Sequence, residues 1–74
     1  MSRVAIVTGG TRGIGHAISE ELRNRGYRVA ANYGGNDEAA HKFQVETGIP
    51  IFKWDVGNYE ACVEGLKAVE RQLG

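Results

Sequence analysis

An apolar run rich in β-branched residues, Arg3 to Thr8 (RVAIVT), leads directly into Gly9-Gly10-Thr11-Arg12-Gly13-Ile14-Gly15, and there the apolar spacing changes. This junction restricts the fold more than any other feature of the chain. The run before it is almost continuously apolar, which predicts a strand buried on both faces. After it, Ile14, Ile18 and Leu22 recur every four residues with Ala17 beside them. That is one face of a helix, expected to end near Gly26. Glu21 and Arg25 stand four apart in the favourable order on the expected solvent side. Gly26 suits the left-handed position just past a helix end.

The same plan repeats twice. Tyr27 to Tyr33 (YRVAANY) predicts a second strand, and Gly34-Gly35-Asn36 a turn. Asp37 and Glu38 then place negative charge in a first helical turn, where the helix dipole favours it. This second helix carries Ala39, Ala40 and Phe43 and stops by Gly48. Ile49 to Trp54 predicts a third strand, with Pro50 tolerated at its start. Asn58 is a good N-cap for a last helix, whose stripe is Cys62, Leu66, Val69 and Leu73. The order βαβαβα with short connections points to an α/β fold with a parallel sheet and right-handed crossovers.

Seventy-four residues and 8.0 kDa allow one small domain, near the lower size limit for folding alone. Cys62 is the single cysteine, so no internal disulfide framework exists. His16, His41 and Cys62 show no zinc-ligand spacing. Nine basic and nine acidic side chains balance, which argues against nucleic-acid binding. The longest apolar run, Val4 to Val7, is far short of a membrane span of ~20 residues. No secretory leader pattern opens the sequence. A soluble, cytoplasmic protein is expected.

The glycine segment follows a strand and opens a helix, the setting of a phosphate-binding loop. A tight glycine turn lets the backbone approach a pyrophosphate. The free N–H groups and positive dipole end of the helix then face the anion. A P-loop is excluded because His16 stands where lysine is required. The spacing, Gly9, Gly13 and Gly15 after Thr8, resembles the T-G-x-x-x-G-x-G loop of the short-chain dehydrogenase/reductase family, and Asp55-Val56 after the third strand matches the same family. The resemblance covers the visible chain, from the first strand to the helix before the fourth. It implies the N-terminal half of a Rossmann-type doubly wound parallel sheet, contributing strand order 3-2-1, with residues 1–74 a partial dinucleotide-binding domain.

Carried over position by position, the resemblance implies a cofactor site at Gly9, Thr11, Arg12, Gly13, Ile14 and Gly15 of the loop. It adds Asn32, Tyr33 and Gly34 at the end of the second strand, and Asp55 and Val56 after the third. Asp55 is expected to contact the adenine amino group and Val56 to line the adenine pocket, although Asp55 also suits a cap for the Gly57-Asn58 turn. NAD-binding members hold the ribose with an acid near the end of the second strand. Asn32-Tyr33-Gly34 contains none, and Arg12 supplies a guanidinium that could pair with a 2′-phosphate. Asp37 is the rival indication for NAD and is read as a helix-start residue. NADP(H) is therefore the expected cofactor. Tyr33 suits either an adenosine neighbour or an ordinary strand position. Trp54 is expected in the core or a pocket wall, Cys62 in helix packing, and His16 and His41 in solvent.

Within the family, the runs GGTRGIG, AANYGGNDEAA and KWDVGNYEAC resemble the NADPH-dependent acetoacetyl-CoA reductases of bacterial polyhydroxybutyrate synthesis. The alternative is a 3-oxoacyl-[acyl-carrier-protein] reductase of fatty-acid synthesis. A third, of another class, is a nucleotide-binding module without catalysis. The family's chemistry lies in a serine, a Tyr-x-x-x-Lys pair and a supporting asparagine, the tyrosine acting as general acid. No tyrosine here is followed four residues later by lysine: Tyr27 leads to Ala31, Tyr33 to Asp37 and Tyr59 to Val63. The chain is thus expected to be the cofactor half of a reductase, ending at Gly74 where a fourth strand would begin. The implied partners are an acyl-CoA substrate and three further copies in a homotetramer, with no nucleic acid or membrane. A fourth strand would pair with the first, so these residues alone should leave an apolar edge open and be marginally stable.

Overall fold

A computed structural model of the chain describes residues 3–74. The predicted order βαβαβα is present: β1 (Val4–Thr8), α1 (Gly13–Asn24), β2 (Arg28–Tyr33), α2 (Asp37–Thr47), β3 (Ile51–Lys53) and α3 (Tyr59–Leu73). The strands form one parallel sheet in the order β1-β2-β3, with Thr8 opposite Asn32 and Tyr33 opposite Lys53. Parallel pairing sends the loops after all three strands out of the same sheet end. This brings Arg12, Gly34 and Asp55 into one region although they are far apart in sequence.

Burial centres on β2, whose neighbours are β1 and β3 and whose faces are both covered. Val29 and Ala31 meet Phe43 and Ile49 on one face, with Leu22 and Tyr27 packed against them. Ala30 meets Trp54 and Val69 on the other. Alternate residues of one strand thus serve two cores, with α1 and α2 on one side and α3 on the other.

Several expectations change. β1 is not buried on both faces: Val4 and Ile6 are 38% and 36% exposed, because β1 has a neighbour on one side only. Its apolar edge is open as expected, and Val4, Ile6, Leu66 and Val69 line a cavity of about 250 Å³. The α1 stripe is only partly buried. Leu22 joins the core, whereas Ile14 is 81% and Ile18 46% exposed. They line an open cavity of about 590 Å³ with Ala17 and Tyr27. The third strand is regular only over Ile51–Lys53, although Ala31 N–H to Pro50 O (3.0 Å) and Trp54 N–H to Tyr33 O (3.1 Å) extend its pairing at either end. His16 is not simply solvated: its ring meets Phe43 edge-on at 4.9 Å, and Nε2 lies 3.1 Å from Glu20.

The helix ends follow their sequence signals. Arg25 Nε donates to Glu21 at 2.7 Å, and Gly26 takes φ +93° beyond α1. Gly48, at φ +75°, ends α2. Asn58 caps α3 by accepting the Ala61 N–H at 2.9 Å. Asn36, read from sequence as a turn residue, caps α2 in the same way through the Ala39 N–H.

Candidate functional site: an open helix terminus

The loop between β1 and α1 is held from behind. The Gly10 N–H donates to Asn32 O at 3.1 Å, and the Ser19 hydroxyl donates to Gly10 O at 3.0 Å. Ser19 is fully buried, and Thr11 is 6% exposed. A Cβ on Gly10 would lie 2.8 Å from both Ser19 Oγ and Val7 O. Gly10 and Ser19 therefore position the loop, and neither was among the residues the sequence singled out. The adjacent glycine was the available signal for Gly10, and a lone serine on an otherwise charged and apolar helix the signal for Ser19.

Gly9 and Gly13 have φ of +64° and +55°, which side chains rarely adopt. Gly15 is required for another reason. Its Cβ would stand 2.0 Å from Gly9 O, so the first turn of α1 lies directly against the loop backbone. This is a helix-to-loop approach, in place of the helix-to-strand packing usual for the last glycine of such loops.

The N-terminus of α1 differs from the other two. Asn side chains cap α2 and α3, and Asp37, Glu38 and Glu60 occupy their first turns. Arg12 is the N-cap of α1, makes no side-chain cap bond, and no acid follows in the first turn. Among the described residues, no acceptor meets the N–H groups of Gly13, Ile14 or Gly15. These are the orphan donors of a helix start. With the positive dipole end they make a terminus of the kind that suits an anion. Arg12 is exposed and in no ion pair among the described residues.

The remaining predicted residues flank this terminus unequally. Asn32 is buried, and its amide donates to Trp54 O at 3.1 Å and Phe52 O at 3.5 Å. It ties β2 to β3, a role its position in the sequence did not reveal. Tyr33 is half-buried, and Gly34 is exposed beyond it. Asp55 Oδ1 accepts the Gly57 N–H at 2.8 Å, so the turn-capping role is present. Oδ2 has no partner among the described residues, and Val56 beside it is exposed. Trp54 lies in the core, its ring against Gly65 of α3. Cys62 packs there too, its thiol 3.5 Å from Val56 O.

Asp37 begins α2 and pairs with Lys53, which ends β3, at 3.1 Å. The hydrogen bond from Lys53 and then that from Tyr33 hold its carboxyl below the usual range. Burial, and next the bond to Asp37, raise the Tyr33 phenol. Among the described residues no group of His, Cys, Asp and Glu could hold a metal ion, and no helix is long and apolar enough to cross a membrane.

The arrangement fits a dinucleotide. Gly15 keeps clear the space a Cβ would fill, and the donors around it are backbone N–H groups with one guanidinium. The profile of the short chain dehydrogenases matches residues 3–74. An acetoacetyl-CoA reductase of Shinella zoogloeoides is 65% identical over the whole chain, which covers 31% of that relative. A 3-oxoacyl-[acyl-carrier-protein] reductase of Staphylococcus aureus is 50% identical over 79 aligned positions, 32% of its length. The chain thus spans about a third of the curated relatives it matches. Its fold is that of a 3-oxoacyl-reductase structure from Bacillus thuringiensis, with a TM-score of 0.92 at 23% identity over the whole chain and 33% of that structure. By the match along nearly all its length, the chain belongs to the short-chain dehydrogenase family.

Proposed function

We propose that these residues are the nucleotide-binding part of an NADPH-dependent reductase of acetoacetyl-CoA. The observation that carries the reading is the N-terminus of α1, uncapped, free of acids and held against the loop by Gly15. Family membership implies a nicotinamide nucleotide, which when bound supplies the hydride for a ketone carbon. The N–H groups of Gly13, Ile14 and Gly15 would hold the pyrophosphate, with Gly9 making the turn and Thr11 and Ile14 flanking it. Arg12 would pair with the 2′-phosphate, since a guanidinium matches phosphate oxygens. Asp55 would accept the adenine amino group through its open oxygen, and exposed Val56 would cover the adenine. Asn32 would act through the backbone, fixing Gly10.

The identity to acetoacetyl-CoA reductases supports the acyl-CoA substrate, and the 3-oxoacyl thioester of acyl carrier protein is favoured less. The proton for the carbonyl would come from a tyrosine outside these residues, so this segment binds and orients without turning over. A homotetrameric assembly in the cytoplasm rests on the family resemblance alone.

The test is Arg12→Ala in the complete reductase. One charge-assisted phosphate contact is worth about 1.5–3 kcal/mol, so the NADPH dissociation constant should rise roughly 10- to 150-fold while that for NADH changes little. Equal losses for the two cofactors would remove Arg12 as the 2′-phosphate ligand, and a wild type that binds NADH more tightly than NADPH would remove the NADPH reading.

A further inference from the structure

In NAD-binding proteins of this architecture, an acid about 20 residues beyond the glycine loop holds the ribose 2′-hydroxyl. Asp37 stands at that separation from Gly15. A bare carboxylate there would repel a 2′-phosphate, which opposes the NADPH reading. The carboxylate is not bare. Lys53 Nζ lies 3.1 Å from Oδ1 and 3.2 Å from Oδ2, so one ammonium faces both oxygens. Register explains the meeting: Lys53 pairs with Tyr33 at the ends of β3 and β2, four residues before Asp37 in the chain.

The pair has little structural work to do. Both side chains are more than half exposed, and exposed ion pairs add little to stability. Asp37 is already favoured at the start of α2 by the dipole. What the pair does change is the charge that a ligand meets. We propose, resting on the NADPH reading above, that Lys53 is a selectivity residue: by covering Asp37 it makes a site spaced for NAD accept NADP. Lys53 acts through Asp37, and Arg12 remains the uncompensated charge at that end of the loop.

The experiment is titration of NADPH and NADH into the complete reductase as wild type, Lys53→Met, and Lys53→Met with Asp37→Asn. Uncovering one carboxylate near a phosphate at the surface should weaken NADPH about tenfold. NADH, which lacks the phosphate, should bind as well or better. The double variant should recover NADPH affinity to within about threefold of wild type, because no charge is left to repel. A merely structural lysine would lower both affinities and the melting temperature together, and Asp37→Asn would not rescue it. An unchanged NADPH-to-NADH ratio in Lys53→Met, or no recovery in the double variant, overturns the assignment while a wild-type preference for NADPH leaves the cofactor reading standing. A wild type that prefers NADH, or binds neither, overturns both.

Discussion

Gly15→Ala is the sharpest test of how the loop and α1 build the anion site. The added Cβ would lie 2.0 Å from Gly9 O, 2.7 Å from Gly9 C and 3.0 Å from Gly10 Cα, where ordinary contact begins at 3.4 Å. All three are backbone atoms, so no side chain can swing away. Loop and helix must part by about 1.4 Å. Forced overpacking of this kind costs about 1–3 kcal/mol. The gain in helix propensity from Gly to Ala, at most ~1 kcal/mol, offsets only part of it. The larger consequence is for binding. Gly10 stays tied to Asn32 and Ser19, so the displacement falls on the first turn of α1 and turns its free N–H groups away. Losing one charge-assisted hydrogen bond weakens nucleotide binding by about 1.5–3 kcal/mol, or roughly 10- to 150-fold. Unlike Arg12→Ala, this change should weaken NADH and NADPH alike, because both carry the pyrophosphate. Gly35→Ala is the control, since its Cβ meets nothing within 4 Å and its φ is ordinary. Titration of both cofactors in the complete protein, with melting curves alongside, decides the matter. If Gly15→Ala bound both within twofold of wild type at unchanged stability, the loop would not hold the pyrophosphate.

Two further outcomes follow from the packing of α3 and the pairing of Asp37. Gly65→Ala would place a Cβ 2.3 Å from Trp54 Cε3, and the ring is packed with Ala30 and Val69. A loss of about 1–3 kcal/mol and a shifted Trp54 emission are expected, and an unchanged melt would mean that α3 does not lie on that ring. The Asp37 carboxyl titrates below its ordinary 3.8. A depressed carboxylate contributes stability above that value and loses it as pH falls through the lowered one. The stability advantage of wild type over Asp37→Asn should therefore hold from neutral pH down to about 3.8 and be lost only in stronger acid. A midpoint near neutrality would assign the effect to another group.

Element order and the glycine loop were legible because both are local. Apolar period, a glycine C′ position and an asparagine N-cap depend on a few neighbouring residues, and the helix starts agree with them. Burial was legible in part: Phe43, Trp54 and Val69 are buried where the apolar pattern puts them. The stripe Ile14-Ile18-Leu22 has helical spacing, but spacing does not say whether a second layer covers it. The same limit explains β1, whose apolar run fits a central strand and lies at the edge of this sheet. Site residues divided in the same way. Arg12, Gly13 and Gly15 announced themselves by position. Asn32 and Lys53 owe their roles to register: the amide of Asn32 crosses to two β3 carbonyls, and Lys53 reaches Asp37.

Net charge was the least informative quantity for the site, and the reason lies at the helix ends. Acids and bases balance over the chain, which argues against a polyanion partner but says nothing about a single phosphate. Local sign is decided by which side chain stands at each N-cap. An asparagine accepts an N–H and closes the terminus, and the acids after Asn36 and Asn58 oppose any approaching anion. Arginine has no acceptor to offer. At Arg12 it leaves the donors of α1 open and adds its own charge to the dipole. Pairing of Asp37 with Lys53 extends this logic to the loop after β2, since the acid that opens α2 is faced by an ammonium. A neutral chain can in this way keep one helix start open and free of acids beside an exposed cation, and Gly15 is the residue that lets that terminus lie against the loop.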